Sequence, residues 1–135
     1  MHKRNLMFII IIVTTILIIL LYPLIIDYKQ HSNMISDIKK ISLEISKETY
    51  ENKNNSIKRY SVGEAQERLI EIKEKNFNNK IKFQQIDISS FVEIEEKIII
   101  TTKIQEEPFK TVIFYEFTYE KINGKWMVVN FNCDV

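Results

Sequence analysis

The side chains in this chain that could act as acids, bases or nucleophiles are few and scattered. Its two histidines, His2 and His31, lie early, and its single cysteine, Cys133, lies at the far end. That spacing offers no Cys-His pair for a thiolate nucleophile. Asp87, in an alternating apolar segment, is the acid that one strand register would turn inward, where burial suits acid–base work. Glu93, Glu95 and Glu96 form the densest acidic group and Glu106-Glu107 a second, and both read as the solvated side of a strand and a turn. No metal-ligand spacing or nucleophile elbow occurs, and two glycines in 135 residues leave no loop to cradle phosphate. The sequence therefore predicts no catalytic residue, no metal and no cofactor. What remains is binding chemistry. Tyr115, Phe117, Tyr119 and Phe131, with Asp87, read either as the lining of an interior pocket or, without the acid, as plain core. Trp126, Val128, Phe114, Val112 and Ile99 form a partly apolar outer strip of the kind a protein partner or a second copy covers.

The element that positions all of these is a membrane anchor. Leu6 to Ile26 is a run of 21 uncharged residues, mostly Ile and Leu. As a helix it spans roughly 31 Å, close to the hydrocarbon thickness of a bilayer. A cleaved leader needs a shorter core followed by small residues. Here Tyr22 to Tyr28 are bulky and the one alanine is Ala65. An uncleaved single-pass anchor is expected, with residues 1–5 as a short cytoplasmic tail and 27–135 as the domain it carries. Lys3 and Arg4 precede the span and Lys29, Lys39 and Lys40 follow it, so the charge rule is nearly balanced. A short basic tail favours an amino end left in the cytoplasm, which places the domain outside the cell membrane. Tyr22 and Tyr28 stand where an interfacial aromatic belt would sit.

Beyond residue 26, 17 Lys or Arg face 18 Asp or Glu. That balance lacks the basic excess of a nucleic-acid binder. The length suits one core, and one cysteine allows no internal disulfide. With 26 Ile, 16 Lys and 11 Asn, the chain carries the bias of AT-rich coding and suggests a bacterial source.

An α+β fold is predicted: after the transmembrane helix, two amphipathic helices packed on a curved antiparallel sheet of about four strands. Met34, Ile38, Ile41 and Ile45, with Thr49 as a further member, recur at helical spacing and mark a helix over about 33–50, either continuous with the span or broken between Asp27 and Ser32. Glu51 to Ser56 reads as a polar connection. Ser61 and Glu64 have capping-box spacing and Tyr60 can staple onto Ala65, opening a second helix over about 62–75. Val62, Ala65, Leu69 and Ile72 form its stripe, and Asn76 with Asn78-Asn79 ends it.

From about 80 to 133 the period is that of strands. Ile81 and Phe83 are out of phase with Ile86 and Ile88, which a bulge near Gln84-Gln85 reconciles. Residues 92–104 contribute Val92, Ile94, Ile98, Ile100 and Ile104. A four-residue loop at 105–108 then pairs Ile104 with Phe109, Ile100 with Ile113 and Ile98 with Tyr115. Asn123-Gly124 suggests a two-residue loop, but that register alone scatters the core. A three-residue loop at 122–124 instead pairs Tyr119 with Met127, Phe117 with Val129, Tyr115 with Phe131 and Ile113 with Cys133. It turns Cys133 inward and Trp126 and Val128 outward.

Amino-terminal helices before a meander that closes on Gly124-Lys125-Trp126-Met127-Val128 resemble the NTF2-like and cystatin-like superfamily. Bacterial envelope proteins, including components of conjugation machines, carry such a domain behind one membrane helix. The resemblance implies a non-enzymatic envelope interaction module with a protein partner. It also admits a small-ligand binder or vestigial enzyme, and the sequence equally accommodates a membrane-anchored immunity-like protein.

Overall fold

The computed structural model describes residues 2–53 and 55–134, with side chains from residue 7 onward. The side chains of the expected tail, His2, Lys3 and Arg4 among them, and Asn54 of the expected polar connection lie outside the described residues. The chain divides into two compact units, residues 1–36 and 37–135.

The first unit is the amino-terminal part of helix α1, which begins at His2 and runs without a break to Glu48, with Pro23 inside it. No Gly or Pro lies between Asp27 and Ser32 to interrupt it, and the continuous alternative holds. Residues 7–25 are exposed around the whole circumference. Among the described residues this is the one helix long and apolar enough to cross a membrane, with an 18-residue stretch of mean hydropathy 3.1. Its two threonine hydroxyls are satisfied within the helix, as hydrocarbon requires: Thr14 donates to the Ile10 and Ile11 carbonyls and Thr15 to that of Ile11. Helix α1 is a candidate membrane span.

The second unit is α+β. It holds the end of α1, a one-turn helix α2 (Ser56–Tyr60), helix α3 (Gly63–Asn78) and four strands, β1 (Lys82–Ile94), β2 (Lys97–Glu107), β3 (Val112–Ile122) and β4 (Lys125–Asp134). The strands form an open antiparallel meander in chain order. Helix α3 does not use the capping box. Its cap position is Val62, and Ser61 instead donates its hydroxyl to the Ile57 carbonyl. Asn76 lies within the helix rather than ending it. It is buried, donates to the Thr49 carbonyl at 3.2 Å, and so ties α3 to the end of α1.

Strand β1 carries the expected bulge between Phe83 and Gln85, and a second between Ile88 and Ser90. Together they put Ile86, Ile88 and Phe91 opposite Ile104, Thr102 and Ile100. The span 92–104 is not one strand, because a tight turn at Glu95-Glu96 divides it, with Glu95 at φ 55°. The turn carries no Gly, Asn or Pro to announce it. The next hairpin is longer than expected, pairing Ile104 with Ile113, Ile100 with Phe117 and Ile98 with Tyr119. The shift is an even number of residues, so every side chain keeps its face.

The last hairpin corrects the expectation most. Asn123 and Gly124, at φ 49° and 79°, form a two-residue loop of the mirror-image type. It sets Lys121 opposite Trp126 and Tyr119 opposite Val128. A register shift then occurs, with Thr118 opposite Asn130 and Phe117 opposite Phe131, leaving Val129 as the extra residue. The bulge thus sits in the strand rather than in the loop, and both Val128 and Phe131 reach the core. The chain before α3 docks there too: the Val62 amide donates to the Val128 carbonyl at 3.1 Å, covering part of the β4 edge.

Candidate functional site

The inner face of the sheet is packed solid where a pocket was one of two expectations. Tyr115, Phe117, Tyr119 and Phe131 are at most 1% exposed. Phe131 stacks at 5.2 Å from the Tyr115 ring and 5.4 Å from the Phe117 ring. Helix α1 and the residue after it meet these rings with a stripe that mixes hydroxyls and isoleucines, Ile38, Ser42, Ile45, Ser46 and Thr49, all buried. Ser42 Oγ lies 2.7 Å from the Tyr119 hydroxyl, Ser46 Oγ 2.9 Å from Thr102 Oγ1, and Thr49 Oγ1 3.3 Å from the Tyr115 hydroxyl. The Tyr50 hydroxyl donates to Glu106 Oε1 at 2.7 Å and lies 3.3 Å from that of Tyr115. Among the described residues no buried side-chain nitrogen or oxygen lacks a partner.

This layer holds its protons firmly. Burial pushes the Tyr50 hydroxyl far above the usual phenol range, with Tyr115 and Glu106 adding to the rise. Burial likewise raises Tyr119 and Tyr115. An activated base needs the reverse, a proton affinity brought near the working pH. Apolar spacing in the sequence marks Ile38, Ile45 and Thr49 on this face but gives no sign of the two serines between them. Ser42, Ser46 and Thr49 nonetheless repeat at helical spacing beside Ile38 and Ile45.

Asp87 does not join the aromatic residues. It lies opposite Lys103, is exposed, and accepts a 2.6 Å bond from Gln85 Nε2. The first bulge of β1 brings its neighbours Ile86 and Ile88 inward and so turns Asp87 out. His31 lies on α1 in the first unit. Cys133, expected in the core, is exposed at the end of β4 opposite Tyr115.

The expected outer strip is only partly assembled. Val128 is fully buried, and Trp126, in phase with it, belongs to the helix side of the sheet, where it is half-buried. Both corrections follow from the two-residue loop. Ile99, Phe114 and Val112 do lie on the open face, where Val92 joins Ile99 in a cross-strand pair. Between Ile99 and Phe114 runs a polar row, Ser90, Thr101, Glu116 and Asn132.

A concavity the sequence did not announce lies on the helical side, where the end of α1, the segment after it, α2 and α3 enclose about 570 Å³. Buried Glu48 forms its floor, accepting from the Ile57 amide at 2.9 Å and pairing with Lys73 Nζ at 3.0 Å. Ile57 and Ile70 give it apolar wall, Phe77 stands on its edge 68% exposed, and Asn52, Asn55 and Asn78 complete the rim. Volumes of roughly 300–1,000 Å³ are typical of small-molecule sites.

No family model matches the sequence, and no curated protein matches it. Among solved structures the chain is similar to a designed NTF2-like protein, at 15% identity and a TM-score of 0.49, over 77% of this chain and 99% of that one. A likeness at that level assigns no activity.

Proposed function

We propose that the protein is a single-pass membrane protein of the bacterial envelope whose extracytoplasmic α+β domain binds another envelope protein and catalyses no reaction. The filled interior carries this reading. With the aromatic rings packed against α1 and their hydroxyls spent on Ser42, Thr49, Tyr50 and Glu106, the inner face has no group left to offer a substrate. Recognition then falls to surfaces that nothing in the fold covers, and the open face of the sheet presents Ile99, Phe114, Val112 and Val92 among polar residues. The mechanism is tethering: an anchor through residues 6–26 confines the domain to the bilayer surface and raises its effective concentration against membrane neighbours.

Photo-cross-linking side chains placed at Ile99 and Phe114, in the full-length protein in its native membrane, test this. A reproducible protein adduct from both positions, absent from Glu67 and Glu71 on α3, supports the reading. Adducts from α3 alone, or none from any position, overturn it.

A further inference from the structure

The groove between the end of α1 and α3 is separate from the open sheet face, and its chemistry differs. We infer that it is a binding site for a short, uncharged oligosaccharide. Three observations lead to that class of ligand.

The groove carries no strong field. Lys58 and Lys73 face Glu48, Glu51 and Glu74 across it, and Lys73 with Glu48 is already a bonded pair. A ligand of high charge finds no complement there. Its rim is instead rich in amides: Asn52, Asn55 and Asn78 each offer donors and an acceptor on one planar group. A sugar hydroxyl donates and accepts at once and fits such a group. Asn55 occupies the cap position of α2, makes no side-chain capping bond there and is exposed on the rim.

The third observation is Phe77. An aromatic ring 68% exposed at the edge of a polar groove gives the C–H face of a sugar ring an apolar platform to stack on. An extended peptide is the other neutral candidate, but helices and a loop wall this groove and, among the described residues, no strand edge lines it for a peptide to pair with by strand addition. The Glu48 clamp on the Ile57 amide and Lys73 holds α1, α2 and α3 together beneath the site, so the rim is presented by a braced floor.

The test is a titration of full-length protein in nanodiscs prepared without glycoside detergent, reading the side-chain amide NMR signals of the asparagines. Chitotetraose, cellotetraose and maltotetraose are the probes, with tetraalanine as the peptide control. The inference expects saturable shifts at Asn52, Asn55 and Asn78 with at least one glycan, and affinity weakened on the order of tenfold by Phe77→Ala. Phe77 is exposed, so that variant keeps the fold, which an unchanged Trp126 fluorescence spectrum verifies. No saturable shift with any glycan overturns the site, as do shifts that Phe77→Ala leaves intact or that tetraalanine reproduces. The cross-linking on the sheet face reads a different surface, so either result stands without the other.

Discussion

The hydroxyl layer between α1 and the sheet makes a prediction in which two deletions at one bond differ in cost. Ser42 Oγ donates to the Ile38 carbonyl at 3.0 Å, so at the 2.7 Å contact the Tyr119 hydroxyl is the donor and Ser42 the acceptor. Both residues are fully buried. Ser42→Ala strands the buried Tyr119 O–H without its acceptor, which costs about 1–3 kcal/mol. Tyr119→Phe leaves Ser42 still bonded to Ile38, and the loss is that of one ordinary bond, about 0.5–1.5 kcal/mol. In the double variant an apolar ring faces an apolar methyl, and no buried donor is orphaned. The double change then costs less than the sum of the singles, by about 1 kcal/mol. Urea unfolding of the full-length protein in nanodiscs, followed by the fluorescence of Trp126, the one tryptophan, gives all three values. A Ser42→Ala variant no less stable than Tyr119→Phe, or a strictly additive double variant, would refute the assignment of donor and acceptor.

Other perturbations probe the rest of the domain. Lys73→Met leaves buried Glu48 without its cation, a charge-assisted bond of roughly 1.5–3 kcal/mol, and the paired change Glu48→Gln with Lys73→Met recovers part of that loss in the same unfolding assay. Val128→Ser places a hydroxyl in the core and destabilises by about 1–3 kcal/mol, whereas Val129→Ser, at the bulge, costs less than 1 kcal/mol; equal costs would put the bulge elsewhere. The buried phenols set a limit at high pH. Tyr50, Tyr115 and Tyr119 are all raised above the ordinary value of 10.0, so the unfolded chain ionises first. Their contribution is complete below that value and is lost as pH rises above it. Phenolate absorbance of the three should therefore appear together with unfolding, and a smooth titration in a folded domain would contradict their burial.

Much of this architecture can be read from residue patterns, and the exceptions have physical causes. The face of each residue in β2 and β3 follows from alternation alone, since Ile98, Ile100, Ile104, Ile113, Tyr115, Phe117 and Tyr119 share one period. The length of the hairpin joining them does not, because registers differing by an even number satisfy the same alternation. At the β3–β4 turn, Asn123-Gly124 is a strong local signal for a two-residue loop, and the core pattern of β4 forbids it only if the strand is assumed regular. The bulge at Val129 reconciles the two, and its cause is tertiary: the Ser61-Val62 segment bonds the outer edge of β4 at Val128. The filled interior was legible as one of two alternatives. What decides between them is the row of serines and threonine on α1, which resembles a solvent face until the tyrosine hydroxyls opposite are known. The groove has no sequence signature, since Glu48, Ile57 and Phe77 meet there only through the packing of three helices.

The central claim, a domain held outside the cell by the span in α1, has a built-in reporter. Cys133 is the one cysteine in 135 residues and is exposed. Partial desolvation by its neighbours on the sheet, with the nearby Glu106 and Asp134 carboxylates, still raises its thiol, so labelling belongs at mildly alkaline pH after brief reduction. Intact cells producing the full-length protein are treated with a membrane-impermeant maleimide. The account predicts labelling of Cys133 without lysis. A cysteine that labels only after the membrane is broken would contradict it and put the domain, with whatever it binds, in the cytoplasm.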